Sequence, residues 1–235
     1  MDRYKMGSWH GNVGKLYLCS TPIGNLEDIT LRAIDTLRKV SLVAAEDTRK
    51  AKVLLDRYNI STTLTSYHKF NENKKSHFLI TKLKEGQDIA LISNAGTPGI
   101  SDPGMKLINL CRENKIEVEM IPGACSLIVA LVLSGFGGEH FFFEGFLPHT
   151  GKMRRRRLKY LSSIKGNIII FLSPHRLLAT LKDAVEILGN RDVFLARELT
   201  KIYEEKWWGS LESLIQRIET KSLKGEMILV IDNND

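Results

Sequence analysis

The chain has 235 residues, enough for one large domain or two small ones with buried cores. Its formal net charge of +7 favours polyanionic partners such as nucleic acid, although many basic proteins bind none. Three scattered cysteines indicate neither a zinc site nor a disulfide framework, and the longest apolar run, Ala124 to Phe136, is too short to span a bilayer. The composition predicts a cytoplasmic globular protein without metal or membrane contact.

The first half alternates β-rich segments with segments whose apolar residues recur at helical spacing. Residues 1–12 are polar and predict a disordered lead-in. The predicted strands are Lys15–Ser20, Leu42–Ala45, Thr63–Tyr67, Asp88–Ser93 and Glu117–Ile121. The predicted helices are Thr30–Lys39, Thr48–Tyr58, Glu72–Lys84 and Pro103–Asn114. This order predicts an α/β domain over residues 13–137, with a mostly parallel sheet and helices on both faces.

The second half begins after Gly137-Gly138, a flexible junction, and predicts another α/β domain over residues 138–235. Two of its strands follow each other without a helix, which favours a mixed sheet. The predicted strands are Phe141–Gly145, Asn167–Leu172, Val193–Arg197, Tyr203–Trp208 and Met227–Ile231. The predicted helices are Lys152–Ser163, Leu177–Leu188 and Leu211–Thr220, and the Ala124–Leu133 segment predicts a buried helix before the junction.

Four loops follow strands of the first sheet, at the edge where open parallel sheets bind ligands. They are Thr21–Asn25, Glu46–Arg49, Ser93–Gly104 and Pro122–Ser126. Ser93–Gly104 has twelve residues, whereas loops in α/β units usually run about two to six. Its glycines and prolines suit a loop that wraps a ligand with backbone groups. Phosphate-loop, dinucleotide, metallopeptidase and serine-hydrolase motifs do not occur.

Seven blocks resemble one family in order and spacing. They are LCSTPIGNLEDIT from Leu18, AAEDTR from Ala44, SNAGTPGISDPG from Ser93, EGFLP from Glu144, SPHR from Ser173, ARELTK from Ala196 and KGEM from Lys224. Together they resemble the ribosomal RNA small-subunit (16S) 2′-O-methyltransferases that act on a decoding-region cytidine, within the tetrapyrrole-methylase superfamily. The resemblance runs from about residue 14 to the C-terminus.

The resemblance implies a two-domain tetrapyrrole-methylase-like fold, a homodimer, and S-adenosylmethionine as methyl donor in the cleft between the domains. The implied donor contacts are Pro22, Gly24, Asn94, Ala95, Gly96, Thr97, Ile100, Asp102, Ser126, Leu172, Arg197 and Met227. The chain departs from the family at Asn94, where aspartate is usual, at Ala124, where proline is common, and at Leu172, where glutamate is usual. Asn94 lacks the negative charge that would favour a cationic sulfonium.

A ribose hydroxyl is a poor nucleophile near neutral pH and benefits from a base or an orienting group. The candidates at this edge are Glu46, Asp47, His68, Asp102, His175 and Glu198, of which Glu46, Asp47 and His68 are predicted to be catalytic. Asp47 could equally be the N-cap of the helix that follows it, and Asp102, before Pro103, could cap the next one.

Clustered cations predict the RNA-binding surface. Four consecutive arginines lie in the Lys152–Ser163 helix, so some must face solvent whichever side is buried. Guanidinium groups suit phosphate recognition, although a charge run is often only a solvated face. The predicted RNA-binding residues are Arg49, Arg154, Arg155, Arg156, Arg157, His175, Arg176 and Lys201.

Two alternatives stay open at this stage. One is another enzyme of the superfamily, acting on a tetrapyrrole or a diphthamide-type substrate. The other is a non-catalytic RNA-binding or assembly protein, which the residues at Asn94 and Leu172 leave conceivable.

Overall fold

The computed structural model describes residues 13–137, 139–220 and 223–234, and the predicted lead-in over residues 1–12 lies outside them. The described residues form two compact units, each built on a five-stranded sheet. The first unit holds residues 13–22 and Leu26–Ala124. The second holds Ile23–Asn25 and the chain from Cys125 onward.

The first unit has a parallel sheet with helices on both faces, as predicted. Its strands are β1 (Leu16–Cys19), β2 (Leu42–Ala45), β3 (Leu64–Ser66), β4 (Ile89–Ile92) and β5 (Val118–Ile121), in the order β3-β2-β4-β1-β5. Its helices are α1 (Leu31–Lys39), α2 (Thr48–Arg57), α3 (Glu72–Lys84) and α4 (Met105–Glu113). Leu91 of β4 packs with α3 and α4, whereas its neighbour Ala90 packs with α1 and α2. This alternation along one strand explains why the segment is apolar throughout.

Two helix starts of the first unit test the capping predictions. The Asp47 Oδ1 atom accepts a hydrogen bond from the Arg49 backbone N–H at 2.9 Å, so Asp47 is the N-cap of α2. The prediction that Asp102 caps the following helix is wrong. Helix α4 begins at Met105, because the chain turns at Gly104 with φ 149°, a conformation that favours glycine.

The second unit has a mixed sheet. Its strands are β6 (Phe141–Phe146), β7 (Asn167–Leu172), β8 (Asp192–Arg197), β9 (Glu205–Ser210) and β10 (Met227–Ile231), in the order β6-β7-β10-β8-β9. Strands β6 and β7 are parallel and the other neighbours antiparallel. Its helices are α5 (Ser126–Ser134), α6 (Gly151–Leu161), α7 (Leu177–Leu188) and α8 (Leu211–Thr220). A shared apolar core joins α6, α7 and α8 to one face of the sheet.

Helix α5 lies on the opposite face of this second sheet, against β8 and β10. The Trp208 indole N–H donates to the Ser134 carbonyl oxygen at 3.2 Å and fixes the end of the helix there. The two units therefore divide between Ala124 and Cys125, and not at Gly137-Gly138. The buried-helix prediction holds for one side of α5 only, since Ile128 and Val132 are exposed.

Among the residues that the structure describes, no helix combines the length and apolar character needed to cross a membrane.

Candidate functional site

The Ser93–Gly104 loop is anchored to the end of β1 within the first unit. Thr21 and Gly96 exchange two backbone hydrogen bonds, of 2.9 and 3.0 Å. The hydroxyl oxygens of Ser20 and Thr97 lie 3.1 Å apart, within hydrogen-bond distance. Two loops that were predicted to bind the same ligand are thus joined at the carboxyl edge of the parallel sheet.

The backbone of this long loop is sharply turned. Gly96 and Gly99 have φ values of 73° and 84°, and Ser101 adopts 61° without being glycine. A Cβ atom on Gly104 would lie 3.1 Å from a methyl carbon of Leu91, so glycine is also favoured sterically there. Of the predicted donor contacts in this loop, Asn94 and Ile100 are exposed, and Ala95, Thr97 and Asp102 are partly buried. Pro22, beside the loop, is buried. The arrangement presents backbone groups and small side chains to a ligand.

Glu46 reaches this loop from the end of the neighbouring strand β2. Its Oε2 atom accepts a hydrogen bond from the Asn94 backbone N–H at 3.3 Å. Since β2 and β4 are adjacent, this contact ties the ends of two strands together. The contact assigns Glu46 a positioning role, while its predicted catalytic role stays a prediction.

Asp47 is engaged by Arg49 in addition to capping α2. The Arg49 guanidinium donates to both carboxylate oxygens, at 3.0 and 2.8 Å. That side-chain contact, followed by the Arg49 backbone N–H, holds the pKa of Asp47 well below its ordinary value. A carboxylate with a lowered pKa is a weak base, so the geometry disfavours Asp47 as the proton acceptor. The Arg49 side chain stays 89% exposed.

His68 is held in a turn by Asn71. The Asn71 Oδ1 atom accepts from the His68 backbone N–H at 2.9 Å, so its Nδ2 faces the imidazole, 3.2 Å from Nε2. Which ring nitrogen carries the proton depends on the tautomer of His68. Nδ1 is buried and has no hydrogen-bond partner among the described residues. The geometry holds His68 in place, and its predicted catalytic role stays a prediction.

Three predicted donor contacts of the second unit form one row across its sheet. Met227 of β10 pairs with Leu172 of β7 and with Arg197 of β8. The Leu172 and Met227 side chains lie in the core under α6, α7 and α8, so only their backbone groups could face a ligand. The Arg197 guanidinium donates to the carbonyl oxygens of Lys224 and Tyr203, and its buried Nε lacks a partner in the described part of the chain.

Beside this row, the Glu198 carboxylate joins the loop after β8 to the loop before β10. Its Oε1 atom accepts from the Glu226 backbone N–H at 2.7 Å and from the Lys201 ammonium at 3.0 Å. A Cβ atom on Gly24 would lie 2.5 Å from the Leu199 carbonyl oxygen, so glycine is required for this approach. Lys201, which also pairs with Glu226, is therefore occupied, and its predicted RNA contact stays a prediction.

The structure corrects part of the predicted basic surface. Arg154 is buried, 7% exposed, and its guanidinium donates to Asp183 at 2.7 and 2.6 Å, so it is not available to RNA. Arg155 pairs with Asp183 and Glu186, and Arg157 pairs with Glu144. In the described chain, Arg156 is the arginine of this run for which no ion pair is found.

The sequence analysis missed the partners Asn71 and Asp183. Asp183 lies among the apolar residues of α7. An acidic residue on an otherwise apolar helix face, in a chain with a run of arginines, was the signal that could have predicted a buried ion pair. The signal for Asn71 was weaker, because it consists only of an amide side chain three residues after His68.

The remaining predicted residues lie apart from these contacts. Ser126 is the first residue of α5 and is partly buried, and His175 is exposed in a short 3₁₀ turn before α7. The Arg176 guanidinium donates to the Leu147 carbonyl oxygen at 3.4 Å. In the described residues, no group of three or more histidine, cysteine, aspartate or glutamate residues could hold a metal ion.

Comparison with known proteins relates most of the chain to one family. Residues 15–215 match the model of a family described as tetrapyrrole (corrin/porphyrin) methylases. A Thermotoga maritima protein named ribosomal RNA small subunit methyltransferase I is 47% identical over 223 residues, 95% of this chain and 100% of that protein. A Synechocystis sp. protein of the same name is 49% identical over 220 residues, 93% of this chain and 79% of that protein.

Solved structures agree on the fold. A crystal structure of diphthine synthase superposes with a TM-score of 0.76 at 13% identity, covering 93% of this chain and 89% of that one. At this identity the likeness concerns the fold alone.

Proposed function

The chain belongs to the tetrapyrrole (corrin/porphyrin) methylase family, and we propose that it transfers a methyl group from S-adenosylmethionine to the 2′-hydroxyl of a cytidine in small-subunit (16S) ribosomal RNA. The observation that carries this proposal is the 47% and 49% identity, over nearly the whole chain, to relatives named for small-subunit rRNA methylation. The ribose hydroxyl and the cytidine rest on the signature blocks. A ribosomal RNA substrate supports the cytoplasm as the proposed location of the reaction.

The long loop of the first unit fits a donor of this kind. Gly96 and Gly99 let backbone approach an adenosyl group closely, and the exposed Ile100 offers apolar surface beside them. In the second unit taken by itself, Gly24 and the backbone groups of Leu172 and Met227 are the candidates for donor contacts. When bound, the donor supplies a methyl group activated for displacement from sulfur.

The protein contributes mainly alignment, because methyl transfer needs the nucleophile, the methyl carbon and the sulfur in line. Glu46 fixes the Ser93–Gly104 loop, called the donor loop below, through the Asn94 backbone N–H. His68 is fixed by Asn71. Both groups lie after strands of the same sheet edge, so they would position the substrate. No proton acceptor is assigned.

The proposed RNA surface uses the cations that remain exposed. Arg49, Arg155 and Arg156 meet this condition, and His175 is also exposed. The net charge of +7 supports a polyanionic substrate through phosphate contacts.

The homodimer is proposed from one apolar face of the second unit. Val132 of α5 is 73% exposed, and Trp208 and Phe146 are exposed on the same side of the sheet. Cross-strand pairing of Phe146 with Phe171 and of Trp208 with Phe194 places them on the face that α5 covers in part. Exposed apolar groups on one face are typical of a protein interface.

Labelled methyl transfer tests the proposed function. Purified protein, radiolabelled S-adenosylmethionine and small ribosomal subunits from cells lacking the modification should give labelled RNA. Calorimetry with S-adenosylmethionine separates the possible failures. Donor binding without label would require another acceptor, such as a tetrapyrrole, and absence of donor binding would favour a non-catalytic RNA-binding protein.

A further inference from the structure

Phe70 projects into solvent from the turn that follows β3. Its side chain is 95% exposed, although neither the donor loop nor the predicted cation set uses it. A single exposed apolar residue is ordinary, so exposure alone carries no conclusion. The surroundings of Phe70 indicate what the exposed ring could bind.

The turn that carries Phe70 is well held. The His68 carbonyl oxygen accepts from the backbone N–H groups of Asn71 and Glu72, at 2.9 Å each. The Asn71 side-chain amide also donates to Ser66 Oγ at 3.1 Å. The Phe70 and His68 rings meet edge to face, with centroids 6.2 Å apart. An aromatic ring on a held turn loses less conformational freedom on binding than one on a loose loop.

The turn lies at the same edge of the sheet as the donor loop. Strand β3 lies at one side of the sheet, two positions from β4, and all of these strands are parallel. Neighbouring strands are spaced by about 4.8 Å, so the turn begins about 10 Å from the start of the donor loop along the same edge. A nucleotide next to the acceptor could reach it.

Two exposed cations follow strands at this edge of the sheet. Lys69 precedes Phe70, is exposed, and makes no hydrogen bond or ion pair with the residues that the structure describes. Arg49 is the second residue of α2, which follows the neighbouring strand β2, and it keeps N–H donors beyond the two that bind Asp47. An exposed aromatic ring that shares a sheet edge with exposed cations is the combination that binds single-stranded nucleic acid, through base stacking and phosphate contacts. An apolar protein partner would not need the two cations.

We propose that Phe70 stacks on a base of the RNA substrate beside the acceptor nucleotide, while Lys69 and Arg49 bind the adjacent phosphates. The inference deepens the proposed function and rests on it, because it names the contact that places the RNA at this sheet edge.

The experiment compares Phe70→Ala, Phe70→Trp and Lys69→Ala with the wild type. Each protein is tested for methyl transfer to unmodified small subunits, for co-sedimentation with them at several salt concentrations, and for S-adenosylmethionine affinity. Phe78→Ala is the matched control, because Phe78 is an exposed phenylalanine about two turns along α3, with its ring under Lys75.

Phe70→Ala should raise the KM for subunits roughly ten-fold or more, with an unchanged salt slope and unchanged donor affinity. Phe70→Trp should stay near wild type, because tryptophan also stacks. Lys69→Ala should weaken binding and lower the salt slope by about one. The inference is overturned if Phe70→Ala binds subunits within two-fold of wild type, or no worse than Phe78→Ala. A wild type that binds subunits but transfers no methyl group would count against the proposed function, while the co-sedimentation series would still decide the stacking.

Discussion

Glu198 shows how single residues hold the loops at the end of β8. Its backbone has φ 52°, unusual outside glycine, and Thr200 has 62°. Such conformations persist where surrounding contacts hold them. Here the Glu198 carboxylate accepts from the Glu226 N–H and from Lys201, and the Thr200 hydroxyl accepts from the Asn25 N–H at 3.0 Å. These contacts keep the loop that carries ARELTK in place.

Replacing Glu198 with glutamine tests this arrangement through its pH dependence. Burial acts to raise the pKa of Glu198, but the Glu226 N–H and the Lys201 ammonium outweigh it and lower the pKa. A lowered folded-state pKa contributes stability above the unfolded pKa of about 4.3, and this is lost as pH falls through the folded value. Glu198→Gln should therefore lower the free energy of unfolding by about 1 kcal/mol at pH 7 and by less below pH 4.

Urea unfolding at both pH values measures this difference. Glu226→Gln is the control, since its 71% exposed carboxylate forms a surface pair with Lys201 that contributes little. An equal loss for both variants at pH 7, or a loss at Glu198 that is independent of pH, would contradict the role given to the Glu198 carboxylate.

Local contacts were predictable at the scale of residues, and distant ones were not. The cap at Asp47 joins groups two residues apart, so the sequence pattern alone predicts it. Arg154 finds its partner Asp183 at a separation of 29 residues, through the packing of α6 on α7. No sequence spacing specifies that contact, which is why the buried arginine was predicted to bind RNA.

Helix α6 divides its arginines between stability and surface charge. Successive residues of a helix are rotated by about 100° around its axis, so adjacent arginines face different environments. Arg154 points into the core beside Leu158, whereas Arg156 points to solvent. A block of four arginines therefore does not act as one surface.

Two alanine variants of α6 separate these roles. Arg154→Ala leaves Asp183, whose side chain is 12% exposed, without its closest cation, and should lower the free energy of unfolding by about 3–5 kcal/mol. Arg156→Ala should stay within about 0.5 kcal/mol of wild type. It should still lower the salt slope of subunit binding by about one.

Urea unfolding and salt-dependent binding measure the two effects. If Arg154→Ala proved as stable as Arg156→Ala, the buried ion pair would have no structural role. An unchanged salt slope for Arg156→Ala would remove this helix from the proposed RNA surface.

Most elements were predicted because their patterns are local. The apolar segments of β2 and β4 are too short for helices, and the spacing in α1 and α7 suits one buried stripe. Helix α5 is apolar nearly all round, so its sequence does not say which sheet it covers. Because α5 contacts β8 and β10, the division between the units lies thirteen residues before the predicted one, after Ala124 instead of Gly137.

At the scale of the whole molecule, the apolar face around Val132 predicts a homodimer in solution. Val132→Glu places a charge on this face and should weaken dimerisation roughly a hundred-fold or more, because burying an unpaired charge is unfavourable. Leu178→Glu is the control, since Leu178 is exposed on α7, on the other side of the sheet. Sedimentation equilibrium measures both. A monomeric wild type, or a Val132→Glu protein that dimerises like Leu178→Glu, would contradict the proposed interface.

The central claim is that a single ribose of small-subunit RNA receives the methyl group. Labelled subunits are digested with alkali, which cleaves every linkage except those that follow a 2′-O-methylated ribose, and the resistant dinucleotide is identified. Label should appear in one resistant dinucleotide that begins with cytidine, for wild type and Phe78→Ala alike. If all of the label were released in mononucleotides, the methyl group would be on a base, and methylation of the ribose would be contradicted.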